Sequence, residues 1–156
     1  MLHYQIEFDD YRQHLMHVTV RFLANPTQVL SLPTWIPGSY LIREFSKHLE
    51  SVRAYDEAGR ILKIQKFEKN KWRLFNTDHE LITVEYDVYA YDLSVRGAYV
   101  DQTRLYVNPA CACLGLDGQE DKAIEVELFL PDELKHFQLA TGLAAKSLVK
   151  GRYTLK

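Results

Sequence analysis

The strongest constraint in this chain is a strict two-residue alternation of apolar and polar side chains. In Leu15-Met16-His17-Val18-Thr19-Val20-Arg21-Phe22, the apolar set Met16, Val18, Val20 and Phe22 alternates with His17, Thr19 and Arg21. Successive side chains of a strand point to opposite faces, so this pattern predicts a half-buried β-strand. Leu81 to Tyr91 repeats it: Ile82, Val84, Tyr86 and Val88 share one face, and Thr83, Glu85, Asp87 and Tyr89 the other. Ala123 to Leu130 does so again. Shorter strands are predicted over Tyr4–Phe8, Val29–Leu32, Ser51–Asp56, Ile61–Phe67, Lys71–Phe75, Leu105–Asn108 and Phe137–Ala140, with a turn then strand from Gly151. Turn signals at Asn25-Pro26, Pro37-Gly38-Ser39, Glu57-Ala58-Gly59, Asn76-Thr77-Asp78 and Asp117-Gly118 separate these runs. The expected fold is mainly β, a curved antiparallel sheet or β-sandwich. Leu41, Phe45 and Leu49 share a spacing of four, so Ser39–Leu49 is equally compatible with a short helical turn. Pro131–Leu134 reads as a loop or a single turn.

Composition narrows the function. Ten Tyr, seven Phe and two Trp suit pleated, half-buried surfaces. A length of 156 residues is one domain's worth of chain and can hold a core without staples. With 47% hydrophobic residues it is not a disordered composition. A net charge of -2 gives no overall electrostatic footprint for nucleic acid or an anionic membrane. No apolar run approaches the roughly 20 residues of a membrane helix. The N-terminal residues lack the basic start and apolar stretch of a signal peptide, so the expected location is cytoplasmic. The expectation is therefore no nucleic acid and no membrane partner.

No complete set of catalytic residues is legible. His14 and His17 fall in a predicted strand on opposite faces, and no His-Glu-x-x-His helix is present. Cys111 and Cys113 would share a strand face, as half a metal site or as two small buried hydrophobes. There is no Gly-x-Ser-x-Gly elbow and no glycine-rich phosphate loop. Asp9-Asp10 and Glu120-Asp121 lie in polar turn contexts. The expectation is no catalytic residue, no metal and no cofactor in this chain.

Two segments stand apart. Leu32 to Phe45 packs two prolines, Trp35 and Tyr40 around a Pro-Gly turn, followed by Arg43-Glu44. A rigid aromatic loop suits a binding surface because little ordering entropy remains to be lost. Trp35 is expected to cap the core; Tyr40 and Arg43 are equally compatible with capping or binding. Tyr89 to Pro109 alternates tyrosines with Asp, Arg and Gln in a strand-turn-strand, with Arg96 and Asp101 as a candidate ion pair. It could read polar groups of a peptide or be a hairpin with a polar face.

Trp35-Ile36-Pro37-Gly38-Ser39-Tyr40-Leu41-Ile42-Arg43-Glu44-Phe45-Ser46 resembles a signature near the N-terminus of glycyl aminopeptidase-type zinc peptidases (clan MA, family 61). Tyr91-Asp92-Leu93-Ser94-Val95-Arg96, Ala98-Tyr99-Val100-Asp101 and Thr103-Arg104 resemble the second signature of the same domain. Lys69–Arg73 and Ala140-Thr141-Gly142-Leu143 sit in the expected order. The resemblance implies a saddle-like, β-rich N-terminal domain over 1–156, followed in the family by a thermolysin-like zinc domain and a PDZ domain. It implies that this chain does not hydrolyse peptides alone, that zinc belongs to the parent enzyme, and that the partner is the catalytic domain of the same polypeptide. The strand-like end at Lys156 fits a fragment of a longer protein. By analogy, Asp101, Gln102 and Arg104 lie nearest a role in holding the substrate amine, and Pro37, Gly38, Ser39 and Tyr40 would dock on the catalytic domain. Arg43, Glu44, Asp92, Arg96 and Tyr99 complete the candidate substrate-binding or interface set. Alternatives from the residues are a stand-alone β-sandwich module for peptide or carbohydrate, and a small enzyme with Cys111 or Cys113 as nucleophile. The docking face is expected to expose Tyr40, Ile42 or Phe45 and to drive self-association of the isolated domain.

Overall fold

A computed structural model describes residues 1–76 and 78–156; the Asn76-Thr77-Asp78 turn therefore falls partly outside the described residues. The two longest alternating segments form the longest strands. β2 (Leu15–Ala24) and β8 (Glu80–Tyr89) pair antiparallel in unbroken register from Leu15↔Tyr89 to Ala24↔Glu80. That register puts Val18 opposite Tyr86, Val20 opposite Val84 and Phe22 opposite Ile82, all buried. On the other face His17 meets Asp87, its Nδ1 2.9 Å from Oδ1.

Around this pair the remaining strands are β1 (Leu2–Glu7), β3 (Val29–Ser31), β4 (Leu49–Tyr55), β5 (Ile61–Leu62), β6 (Ile64–Glu68) and β7 (Lys71–Leu74). They are followed by β9 (Ala98–Val100), β10 (Leu105–Val107), β11 (Gly115–Leu116), β12 (Ile124–Phe129), β13 (Ala145–Val149) and β14 (Arg152–Leu155). Eight strands form one sheet in the order β13-β14-β12-β1-β2-β8-β4-β5. Four form a second sheet, β11-β3-β7-β6, and β9–β10 is a separate hairpin. One departure from an all-antiparallel fold is the β1–β12 pair, which is parallel. Its two strands lie far apart in sequence, so no tight turn dictates their direction.

The buried side of the large sheet and the inward side of the second sheet share one core. Leu30 and Leu32 at β3, and Trp72 and Leu74 of β7, join Val18, Val20, Val84 and Tyr86 in a single cluster. Two tyrosines stitch the connection between hairpin and second sheet to the large sheet. The Tyr4 hydroxyl donates to the Leu114 carbonyl at 2.7 Å. The Tyr86 hydroxyl donates to the Ala112 carbonyl at 2.9 Å and accepts from the Leu114 amide at 3.0 Å. Backbone groups that leave regular structure inside the core are thereby paired. Burial holds both phenols far from ionisation.

Several local expectations change. Phe137–Ala140 is not a strand: β14 already pairs with β12 on one edge and β13 on the other, so no ladder position remains for it. β13 was not legible because its five side chains are all exposed and its sequence does not alternate. Helical structure in Ser39–Leu49 shrinks to a 3₁₀ turn at Phe45–His48, and Asp132–Leu134 forms another. Cys111 and Cys113 do not lie in a strand. Asn108 caps a one-turn helix, Pro109–Ala112, by accepting from the Ala110 amide, and Pro109 supplies the start of that turn. Among the described residues no helix is long and apolar enough to cross a membrane.

Replacing Tyr86 with Phe leaves the Ala112 carbonyl and the Leu114 amide without their hydroxyl partner. We expect a loss of about 1–3 kcal/mol, read as a lower urea midpoint at unchanged m-value.

Candidate functional site: two tethered loops and an aromatic cluster

The 34–43 loop is built from its own hydrogen bonds. Its neck closes where the Arg43 amide donates to the Thr34 carbonyl at 2.7 Å. At its tip the Ser39 amide donates to the Ile36 carbonyl at 3.1 Å, with φ of +79° at Gly38. Pro37 and Gly38 thus occupy the central positions of a type II turn, where a positive φ favours glycine. Ser39 is the buried organiser: its hydroxyl donates to the Leu41 carbonyl and accepts from Arg43 Nε at 2.9 Å. The Trp35 indole donates to the Ser39 carbonyl at 2.7 Å.

With its polar groups paired internally, the loop turns its apolar side chains outward. Tyr40 is fully exposed, Ile42 is 79% exposed, and Leu41 and Trp35 are also exposed. Trp35 does not cap the core, because its indole N–H is committed to the loop's own backbone. Phe45, expected on the exposed face, is buried at the start of the 3₁₀ turn. Arg43 and Glu44 diverge. Arg43 turns in to Ser39, while Glu44 reaches Lys69 at 3.0 Å, and that ammonium holds its carboxyl below the usual range.

The second segment folds against the first. Tyr91 bridges to Tyr99, and the Asp92 amide donates to the Ala98 carbonyl at 2.9 Å. Asp92 then accepts from the Ser94 amide at 2.8 Å. That hydrogen bond, with the positive fields of His48 and Arg43, keeps its carboxyl ionised below its ordinary range. Gly97 is required beside it: a Cβ there would lie 2.5 Å from Asp92 Oδ2. The candidate Arg96–Asp101 pair does not form. Arg96 instead donates to the Gly38 carbonyl at 3.1 Å, tying the two signature segments together. A shallow depression between them is lined by Ile36, Pro37, Val95 and Arg96. Leu93 and Val95 are 70% and 75% exposed beside it.

Asp101 is committed to its own turn. One carboxylate oxygen accepts from the Thr103 amide, the Thr103 hydroxyl and the Arg104 amide, and the other accepts from the Tyr99 hydroxyl at 2.9 Å. Partial burial pushes its pKa up, but these donors outweigh it and bring it down to about 2. Gln102 and Arg104 are exposed on the same turn.

Sequence spacing did not reveal the aromatic cluster next to it. Tyr91 stacks on Tyr99 at 5.4 Å between centroids, and the His14 ring lies 4.1 Å from Tyr91. Tyr89 and His48 extend the cluster. His14 is not in a strand: it ends a 3₁₀ turn at φ +60°, and its Nδ1 lies 2.7 Å from the Val100 carbonyl. Its place in the cluster comes from tertiary folding alone. Burial and the Lys47 charge lower the His48 pKa, with Asp92 opposing them.

The two thiols are poorly suited to nucleophilic work. Burial pushes Cys111 up to about 11, although its Sγ sits 2.9 Å from the Asn108 carbonyl. Burial and the neighbouring thiol push Cys113 up to about 12. A reactive cysteine needs the opposite shift. No cluster of three metal-ligating side chains occurs among the described residues.

The two-sheet β fold, with its separate β9–β10 hairpin, has a solved counterpart among the peptidases. Its backbone superposes with a TM-score of 0.91 on an aminopeptidase N family protein from Idiomarina loihiensis, at 40% identity over 99% of this chain. The chain spans 27% of that protein's length. A zinc metallopeptidase of family M1 from Deinococcus radiodurans, solved as its E323A mutant, matches with a TM-score of 0.46 at 10% identity, covering 99% of this chain and 36% of that one. No curated protein matches the sequence. Residues 3–156 match the Peptidase M61 N-terminal domain, and the chain belongs to that family.

Two outcomes test this geometry. Asp101 titrates below its unfolded value of about 3.9, so its contribution to the turn is present above pH 4 and is lost as pH falls towards about 2. Hydrogen exchange at the Thr103 and Arg104 amides should accelerate over that window. Both thiols should resist a disulfide reagent until the protein unfolds. Their folded pKa values are raised, so their contribution to stability is intact below about pH 8.5 and declines as pH rises towards about 11 and 12. A thiol labelled at neutral pH faster than global unfolding would contradict their burial.

Proposed function

We propose that this chain is the non-catalytic domain of a zinc-dependent aminopeptidase, packed on the catalytic domain of the same polypeptide and shaping its substrate cleft. The carrying observation is the tether between Arg96 and the Gly38 carbonyl. It holds two loops, distant in sequence, as one surface bearing Tyr40, Leu41, Ile42, Leu93 and Val95. Exposed apolar side chains held on a rigid framework cost little ordering entropy on docking, which suits a permanent contact between domains.

The division of labour follows from the chemistry present. Asp92 is held by the Ser94 amide and Asp101 by Tyr99, Thr103 and Arg104, and Tyr91 stacks on Tyr99, so this segment acts as a formed wall rather than a set of free ligands. Asp101, with four donors already in place, orients Tyr99 and Arg104 at the edge of that wall. Zinc and the attack on the peptide bond belong, in this proposal, to the catalytic domain. The proposed setting is the cytoplasm, where unpaired Cys111 and Cys113 would stay reduced.

The test compares this chain with the longer polypeptide in a zinc-supplemented aminopeptidase assay. Release of an N-terminal residue by the longer form alone is expected, and release by the 156-residue chain would overturn the proposal. Tyr40→Ser with Ile42→Ser should weaken binding of this domain to a separately produced catalytic domain at least tenfold, about 1.4 kcal/mol. The same double variant should suppress self-association of the isolated domain in light scattering.

A further inference from the structure

The core is unevenly covered. Inward side chains of β2 and β8 are almost completely buried, whereas Val126, Leu128 and Leu130, at β12 and just beyond, stay only partly buried. The second sheet does not extend over that end of the large sheet. It is flanked instead by the irregular segment 137–143, and a partly open pocket of about 220 Å³ remains beneath.

Three observations give this cavity a chemical character. None of the residues lining it is charged, and only Gln138 and Thr141 carry polar side chains apart from two tyrosines. Both tyrosine hydroxyls are already used: Tyr106 donates to the Val95 carbonyl at 2.8 Å, and Tyr153 to the Phe137 carbonyl at 3.1 Å. They therefore offer the space ring surface rather than a free polar group. The roof is weakly held. Among the described residues, no backbone–backbone hydrogen bond joins residues 138–143 to either sheet, and the Leu143 amide is satisfied locally by the Thr141 hydroxyl. Ala140-Thr141-Gly142-Leu143, a stretch the proposed docking face leaves without a role, is this roof.

We infer that the cavity under the 137–143 strap is a binding site for one uncharged apolar group, an aryl ring or a branched aliphatic chain. An apolar occupant displaces water from this apolar lining and gains dispersion contacts with it. A closed apolar cavity of about 150 Å³ binds benzene, and this partly open pocket has room for a group of that size. A charged ligand is excluded, because no lining group would compensate its lost hydration. The strap opens the route of entry: moving residues 138–143 breaks no backbone–backbone hydrogen bond to either sheet among the described residues. This site is independent of the loop surface assigned to docking, and either reading can fail alone.

The test uses the 156-residue chain with methyl-labelled leucines and valines. Benzene, N-acetyl-phenylalaninamide and N-acetyl-lysinamide are titrated while the Leu128, Leu130, Leu139 and Leu143 methyls are followed. Saturable shifts with benzene, a raised melting midpoint and no response to the lysine compound are expected. A matching response to the phenylalanine compound assigns the site to a polypeptide side chain; a response to benzene alone assigns it to a free small ligand. Leu128→Trp should fill the space and abolish the benzene response, with native dispersion of the Val18 and Val84 methyls reporting an intact core. Should that variant not fold, Ala140→Phe fills the space from the strap side. A folded wild-type chain whose four leucines show no saturable response to benzene, or respond equally to the lysine compound, overturns the inference.

Discussion

The β2–β8 ladder is the constraint on which the rest of the molecule depends. Its unbroken register runs from Leu15↔Tyr89 to Ala24↔Glu80 and places one complete row of apolar side chains against the core. A slip of one residue between the two strands would turn the apolar row of one strand to solvent and bring its polar row inward, His17 and Thr19 from β2 or Glu85 and Asp87 from β8. Burying those charges unpaired is costly enough to exclude the alternative. Once that row is fixed, β1 and β4 add to its two edges and the second sheet closes over its apolar face.

The candidate site is positioned from the ends of that ladder. β8 ends at Tyr89 and delivers Tyr91 and Asp92 directly beyond the sheet edge. The start of β2 places His14 against the same rings. Rigidity in the sheet is thus passed to loops that carry little regular structure of their own. Local bonds complete the work: Ser39 organises one loop, Asp92 and Asp101 organise the other, and Arg96 joins them. Most polar side chains here serve the shape of the surface, leaving its apolar residues to face outward. That distribution is the basis of the docking face proposed above.

Strands with one dry and one wet face were legible because burial writes a period of two into the sequence. Strands without that asymmetry were not. β13 is exposed on both sides and carries no pattern, and Phe137–Ala140 carries a suggestive composition but finds both edges of β14 occupied. The parallel direction of β1 against β12 has no local signature, since it depends on a pairing across more than a hundred residues. Of the site, the two motif segments and the Pro-Gly turn were legible. Their union was not. Arg96 has Asp92 and Asp101 nearby in sequence, yet its recorded bond is to the carbonyl of Gly38. Trp35 looked like a core residue by type, and only the closed loop shows its indole turned to the backbone and its ring to solvent.

The amino-acid sequence by itself determined the β class, the inward faces of the long strands, the Pro-Gly turn and the segments that carry the resemblance. Each rests on interactions between residues close in the chain, or on a periodicity that burial imposes. Tertiary structure alone decided which loops meet, which aromatic rings stack, which carboxylates are already bonded and where the core is left incompletely filled. Those outcomes depend on distances between residues far apart in the chain, and such distances exist only once the two sheets have packed.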